Sequence, residues 1–130
     1  MTQALRVLHV EDDADIREIT ELALAMVGQM TLVQCASGAE ALAQAGHQTV
    51  DLLLLDQMMP GMSGAETLSA LRNLPDYART PVIFMTARAQ QSDLDELKAL
   101  GAAAIIPKPF EAMTLAQEIE SIWQKCQAAV

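Results

Sequence analysis

Closely spaced acids follow a short apolar run near the start of the chain, in the stretch "LHVEDDAD". Two like charges about 4 Å apart repel by on the order of 4 kcal/mol at an effective dielectric constant near 20. The acids are therefore either a solvated turn that caps a helix or part of a site for a cation. Taken alone, the stretch favours the solvated turn.

Three further residues that could do phosphoryl chemistry come at the ends of later apolar runs. They are Asp56 in "LLLLDQMMPGMSG", Thr86 in "FMTAR" and Lys108 in "IIPKPF". A carboxylate can act as a nucleophile, while a hydroxyl and an ammonium group can stabilise phosphoryl oxygens. Ligands of open parallel sheets bind at the carboxyl ends of the strands, so we expect these groups to meet Glu11 and Asp12 there.

The charges of this group predict a divalent cation. Glu11, Asp12 and Asp56 contribute −3, and Lys108 contributes +1. A divalent ion brings the site near neutrality, and a set of oxygen ligands with open positions suits Mg²⁺. Asp13 is expected instead to cap the first helix, where its charge is favourable.

Short apolar runs alternate with segments of helical period along the whole chain. Five such pairs in series predict a parallel sheet with helices on both faces. The predicted strands cover residues 5–10, 30–36, 50–55, 81–85 and 103–106.

The helix boundaries are predicted from caps and apolar stripes. "SGAE" occurs twice, and Ser37 with Glu40 has the pattern of a capping box, as does Ser63. Ser92 and Asp95 are expected to cap the fourth helix. The first helix is expected to end at Gly28, and its apolar stripe consists of Ile16, Ile19, Ala23, Met26 and Val27. The apolar stripe of the last helix consists of Leu115, Ile119, Ile122, Trp123 and Cys126.

Composition limits the class of protein. A chain of 130 residues, 52% hydrophobic and 3% aromatic, predicts one domain with an aliphatic core. A net charge of −9 argues against direct binding to nucleic acid or to an anionic membrane. Cys35 and Cys126 are expected to be reduced thiols. The chain has no run long enough to cross a bilayer and no signal-peptide pattern, so we expect a cytoplasmic protein.

Four motifs in this order, "VEDD", "LLLLDQMMPGMSG", "FMTAR" and "PKPF", make the chain resemble the response-regulator receiver domain of bacterial two-component signalling. The resemblance runs from Leu5 to the final helix. It implies a single receiver domain over residues 1–130 without an effector domain. It also implies a doubly wound, flavodoxin-like (βα)5 fold whose five parallel strands lie in the order 2-1-3-4-5.

The resemblance also assigns roles at the acidic site. Asp56 is implied to accept a phosphoryl group from a sensor histidine kinase or a histidine phosphotransfer protein. Asp12, Asp56 and the backbone carbonyl of Met58 are implied to bind Mg²⁺ directly, and Glu11 through water.

The switch of the family involves two more residues. Thr86 is implied to be the switch hydroxyl and Lys108 the cation that pairs with the phosphoryl group, with Lys108–Pro109 a cis peptide. Phosphorylation would then alter the surface of the fourth helix, fifth strand and fifth helix, which binds a downstream protein. Beyond its own phosphoryl transfer and autodephosphorylation, no enzymatic activity is expected.

The chain departs from the family near the fifth strand. Ile105 stands where receivers often have a tyrosine or phenylalanine, and residues 102–106 ("AAAII") are unusually apolar. This segment either binds a partner or packs normally, and both readings stay open. Arg88 and Met58 are expected to flank the approach of water to the acceptor and to tune phosphoryl lifetime. His9 is expected to be a partly buried strand residue.

Two other functions remain as alternatives. The first is a receiver-like interaction module that ignores phosphorylation, which Ile105 favours. The second is a magnesium-dependent phosphohydrolase with an aspartyl-phosphate intermediate, to which "DAD" at Asp13–Asp15 bears a superficial likeness. The second is disfavoured because its motif should begin at the strand end, where Glu11 lies, and because 130 residues leave no room for a cap domain.

Overall fold

One parallel sheet organises the chain, which a computed structural model describes over residues 4–87 and 90–128. The strand order is β2-β1-β3-β4-β5, as the family resemblance implies. Each predicted strand boundary lies within two residues of the observed one. The strands are β1 Arg6–Val10, β2 Thr31–Cys35, β3 Leu52–Asp56, β4 Val82–Thr86 and β5 Ala104–Pro107.

Helices connect the strands and cover both faces of the sheet. The first helix begins as α1 and continues as a π-helical segment, Leu22–Val27. A short 3₁₀ helix, Pro75–Tyr77, precedes β4. The α-helices are α1 Ala14–Glu21, α2 Gly38–Ala45, α3 Gly64–Leu71, α4 Gln91–Ala99 and α5 Leu115–Ala128.

The core consists of two apolar layers, one on each face of the sheet. In β3, Leu53 and Leu55 face the layer under α2, α3 and α4. Leu52 and Leu54 face the layer under the π-helical segment of the first helix and α5. Successive side chains of a strand point to opposite faces. A strand covered on both faces therefore needs a continuous apolar run, which explains "LLLL" directly before Asp56.

The apolar stripe predicted for the first helix is wrong about which residues are buried. Ile19, Met26 and Val27 are 46%, 71% and 53% exposed, whereas Ala23 and Leu24 are buried. For Met26 and Val27 the cause is the π-helical half of this helix, because a π-turn contains more residues than an α-turn and rotates later side chains away from the expected face.

The predicted capping box is confirmed for α3 and only in part for α2. Ser63 and Glu66 form a complete capping box at α3. Ser37 caps α2, but the Glu40 carboxylate accepts from the Ala36 N–H rather than from that of the cap residue.

The fourth helix begins before its predicted caps. Gln90 is the N-cap residue, without a side-chain hydrogen bond. Ser92 and Asp95 consequently lie inside α4, where their side chains cannot cap it.

The remaining expectations about packing are confirmed. Leu115 and Ile119 of α5 are buried, and Trp123 packs against the same layer. Ile105, for which both readings stay open, is half-buried and packs against the other layer. Cys35 and Cys126 are free thiols. None of the helices within the described residues combines the length and hydrophobicity needed to cross a bilayer.

Candidate functional site

Asp56 is the last residue of β3, the central strand of the sheet. Its side chain is 1% exposed, and its neighbours in the strand are fully buried. Strands β1 and β4 flank β3, so their carboxyl ends surround the carboxylate. Buried and held at a strand end, Asp56 has a fixed position beside the groups contributed by the adjacent strands.

Lys108 forms ion pairs with two of the predicted acids. Its Nζ lies 2.8 Å from Oδ1 of Asp56 and 2.6 Å from Oε1 of Glu11. The Lys108 N–H donates to the carbonyl of Thr86, which fixes the residue after β5 against the end of β4. The Lys108–Pro109 peptide is cis, as predicted.

The three predicted acids converge on one point. Carboxylate oxygens of Glu11, Asp12 and Asp56 lie within 4.8 Å of one another, with Asp12 exposed and the other two buried. Oδ2 of Asp56 is buried and has no hydrogen-bond partner among the described residues. Buried polar atoms are nearly always satisfied, and Mg²⁺ prefers carboxylate oxygens, so the residues present fit this ion.

Burial and neighbouring charges shift the pKa values of Glu11 and Lys108. Burial raises the pKa of Glu11 to about 7, and the charge of Asp56 raises it too, against the hydrogen bond from Lys108. Burial lowers the pKa of Lys108, but hydrogen bonds to Asp56 and Glu11 outweigh this and raise it. A cation bound beside Glu11 would favour the charged form of this carboxylate.

Asp13 caps α1, as predicted. Its Oδ1 accepts from the N–H groups of Asp15 and Ile16, at 2.8 and 3.2 Å. The cap turns this carboxylate toward the helix. The first aspartate of "DAD" is thus occupied as a cap, which removes the main support for the phosphohydrolase reading.

Arg17 also contacts the acidic turn, a contact that was not predicted from the sequence. Its Nη1 donates to the backbone carbonyls of Glu11, at 2.7 Å, and of Asp12, at 3.1 Å. The sequence does contain a sign of this contact, because an arginine lies in the helix directly after the acids, one turn beyond Asp13.

Thr86 and Met58 lie at the same edge of the sheet. Thr86 is the last residue of β4 and is buried, while the side chain of Met58 is 49% exposed. A small cavity of about 40 Å³ lies between Met58, Thr86 and Leu97. Arg88, the other residue expected to affect the approach of water, lies outside the described residues.

The connection from β3 to α3 is tied directly to the residue after Asp56. The side-chain oxygen of Gln57 accepts from the Ala65 N–H at 2.8 Å, and the Gly64 N–H donates to the Gln57 carbonyl at 3.1 Å. A Cβ at Gly64 would lie 2.5 Å from the Asp56 carbonyl oxygen. The close approach of α3 to the end of β3 therefore requires glycine. The sequence predicted a tight turn here but not this cap.

His9 is more deeply buried than expected, with 0% exposure. Its Nδ1 lies 3.1 Å from Nε2 of Gln34. Burial, together with the charges of Lys108 and Arg17, lowers its pKa to about 3. Because the Gln34 amide nitrogen is a donor, Nδ1 is the acceptor and the proton of the neutral ring is on Nε2.

Comparisons with known proteins place these features in a family. Over 117 residues the chain is 37% identical to the transcriptional regulatory protein YvrH of Bacillus subtilis (strain 168), covering 88% of this chain but 47% of YvrH. Over 121 residues it is 30% identical to the chemotaxis protein CheY of Pseudomonas aeruginosa, covering 93% of this chain and 98% of CheY. The chain thus spans about half the length of curated relatives such as YvrH.

A solved structure shows the same fold. The chemotaxis protein CheY4 of Vibrio cholerae, crystallised at low pH, superposes with a TM-score of 0.85 at 32% identity, over 92% of this chain and 99% of CheY4. The family model described as the response regulator receiver domain matches residues 7–120. The chain therefore belongs to the response regulator receiver domain family, whose members are regulatory proteins of two-component phosphorylation signalling.

Proposed function

We propose that this chain is a phosphorylation-controlled receiver in which Asp56 is the phosphoacceptor. The observation that carries the proposal is the environment of its carboxylate. One oxygen pairs with Lys108, and the other is buried without a partner beside Glu11 and Asp12. A carboxylate held in place by the strand can bind the cation through one oxygen and attack phosphorus with the other.

The proposed transfer moves the phosphoryl group from a phosphohistidine of a sensor kinase or a phosphotransfer protein. An oxygen of Asp56 forms the bond to phosphorus, the N–P bond of the donor breaks, and the donor imidazole keeps the electron pair. Lys108 then pairs with a phosphoryl oxygen, and the Thr86 hydroxyl donates to another. In autodephosphorylation, water attacks phosphorus and the Asp56 carboxylate leaves.

The proposed metal ligands are Asp12, Asp56 and the backbone carbonyl of Met58, with Glu11 acting through water. When bound there, Mg²⁺ neutralises charge on the transferring phosphoryl group. Lys108 already holds Glu11 and Asp56 in place by its two ion pairs.

The proposed output is a change at the surface of α4, β5 and α5. Phosphorylation replaces the −1 charge of Asp56 with about −2. Thr86 and Lys108 would shift toward that charge, and both adjoin β5, because Thr86 pairs with Pro107 in the sheet. A downstream protein that binds the shifted surface better would read the signal.

A phosphorylation-independent interaction module is the second candidate. It is favoured by Ile105, which has no hydroxyl and less area to expose or bury than the aromatic residue common at this position. Phosphoryl uptake by Asp56, followed by a change in partner affinity, would exclude it.

Intact mass spectrometry tests the acceptor. The protein is incubated with acetyl phosphate and Mg²⁺, and separately with a phosphorylated histidine phosphotransfer domain. We expect a gain of one phosphoryl group, absent in Asp56→Asn and after addition of EDTA. Asp76→Asn, at an exposed aspartate within the 3₁₀ helix, is the matched control and should gain the group. Failure with both donors, or equal uptake by Asp56→Asn, would refute the proposal.

A further inference from the structure

The acidic turn is held by an arginine that touches none of its carboxylates. Nη1 of Arg17 donates to the carbonyls of two successive residues, Glu11 and Asp12, at 2.7 and 3.1 Å. These are the residues whose side chains reach Asp56. The guanidinium group thus holds the backbone of the turn rather than its carboxylates.

Arg17 is itself fixed at its other end. Nε2 of Gln34, on β2, donates to the Arg17 carbonyl at 2.7 Å and contacts Nδ1 of His9 on β1. The Glu11 N–H donates to the carbonyl of Cys35, which extends the same attachment to β2. The turn, the helix and two strands therefore form one hydrogen-bonded unit.

We propose that Arg17 is a positioning residue for the metal site. By engaging the two carbonyls it prevents the peptide units of the turn from rotating and keeps the carboxylates of Glu11 and Asp12 directed at Asp56. The inference rests on the metal site of the proposed function, and it assigns the geometry of that site to a residue that binds neither metal nor phosphate.

A purely electrostatic role and a positioning role of Arg17 predict opposite effects of its removal on the affinity for Mg²⁺, which makes the inference testable. If Arg17 acted only through its positive charge, its removal would reduce repulsion of a cation and tighten Mg²⁺ binding. If it positions the carboxylates, its removal must weaken binding. Loss of residues that orient metal ligands typically costs about 10- to 100-fold in metal affinity.

The test is a Mg²⁺ titration of the unphosphorylated protein, followed by the amide signals of ¹⁵N-labelled protein, which also report whether each variant is folded. We expect Arg17→Gln to raise the Kd for Mg²⁺ about tenfold. Arg17→Lys keeps the charge, but its side chain is one bond shorter than that of arginine and reaches the two carbonyls less well, so its Kd should fall between the two. Arg79→Gln removes an exposed arginine remote from the turn and should match wild type.

Each outcome decides the inference. A Kd of Arg17→Gln equal to or lower than that of wild type overturns it, even if the variant is less stable, and so does full wild-type affinity in Arg17→Lys. If Arg17→Gln does not fold, Arg17→Lys decides alone. Wild-type protein that binds no Mg²⁺ would overturn the metal site together with the inference. Failure of phosphoryl uptake with Mg²⁺ binding intact would instead refute only the acceptor.

Discussion

Replacement of His9 by glutamine should remove the loss of stability at low pH that the buried imidazole causes. The imidazole is fully buried, with a pKa lowered from 6.5 to about 3. The unfolded chain therefore takes up a proton below about pH 6.5 that the folded protein refuses. The stability contributed by neutral His9 is complete above 6.5 and is lost as the pH falls toward 3.

The magnitude follows from the two pKa values. One pH unit of difference corresponds to about 1.36 kcal/mol, so the limiting loss at low pH is about 5 kcal/mol. Between pH 7.5 and pH 5 the loss is about 2 kcal/mol, because the unfolded imidazole becomes almost fully charged while the buried one stays neutral.

Glu11 titrates in the same range with the opposite sign. Its pKa is raised to about 7, so the folded protein binds more protons than the unfolded chain and gains stability as the pH falls. Wild type alone would show partly cancelling effects. Because Glu11 is present in both proteins, the difference between wild type and His9→Gln isolates the histidine.

Urea unfolding between pH 7.5 and pH 5 measures this difference. Between these two pH values we expect the change in the free energy of unfolding to be about 2 kcal/mol less favourable for wild type than for His9→Gln. His47→Gln, at an exposed histidine, is the control and should follow wild type. Parallel curves for wild type and His9→Gln would show that the buried ring becomes protonated without cost, and the reasoning would fail.

Two further substitutions test the scaffold. Gly64→Ala should destabilise the protein by about 1–3 kcal/mol in urea unfolding, since its Cβ would press on the Asp56 carbonyl. Gly46→Ala, where a Cβ meets open space, should be neutral or stabilising, and equal effects of the two would contradict the explanation. Tyr77→Phe should cost about 1–2 kcal/mol, because the buried hydroxyl bonds the carbonyls of Ala45 and Gln48 at 3.0 Å. A thermal midpoint equal to that of wild type would exclude this role.

Much of the fold followed from short-range patterns. The apolar runs located all five strands, and the residues after them located Asp56 and Lys108 at the site. The strand order came from the family resemblance, because apolar periodicity does not reveal which strands are neighbours.

What the sequence did not reveal depends on backbone geometry. The exposure of Met26 could not be predicted because helical spacing assumes 3.6 residues per turn, and the π-helical segment breaks that assumption. The roles of Arg17 and Gln57 are bonds from side chains to distant backbone groups, which leave no periodic signal. The missed cap of α4 reflects a start before Ser92 that no capping residue marks.

The hydrogen bond between Gln57 and α3 gives the adjacent residues Gln57 and Met58 different roles. Gln57 is half-buried and bonded to the Ala65 N–H, so substitution there loosens the junction between acceptor strand and helix. Met58, 49% exposed, offers its side chain to solvent and can be exchanged without disturbing that junction. We therefore expect substitution at position 58 to leave the attachment of α3 to β3 intact, whereas substitution at position 57 weakens it.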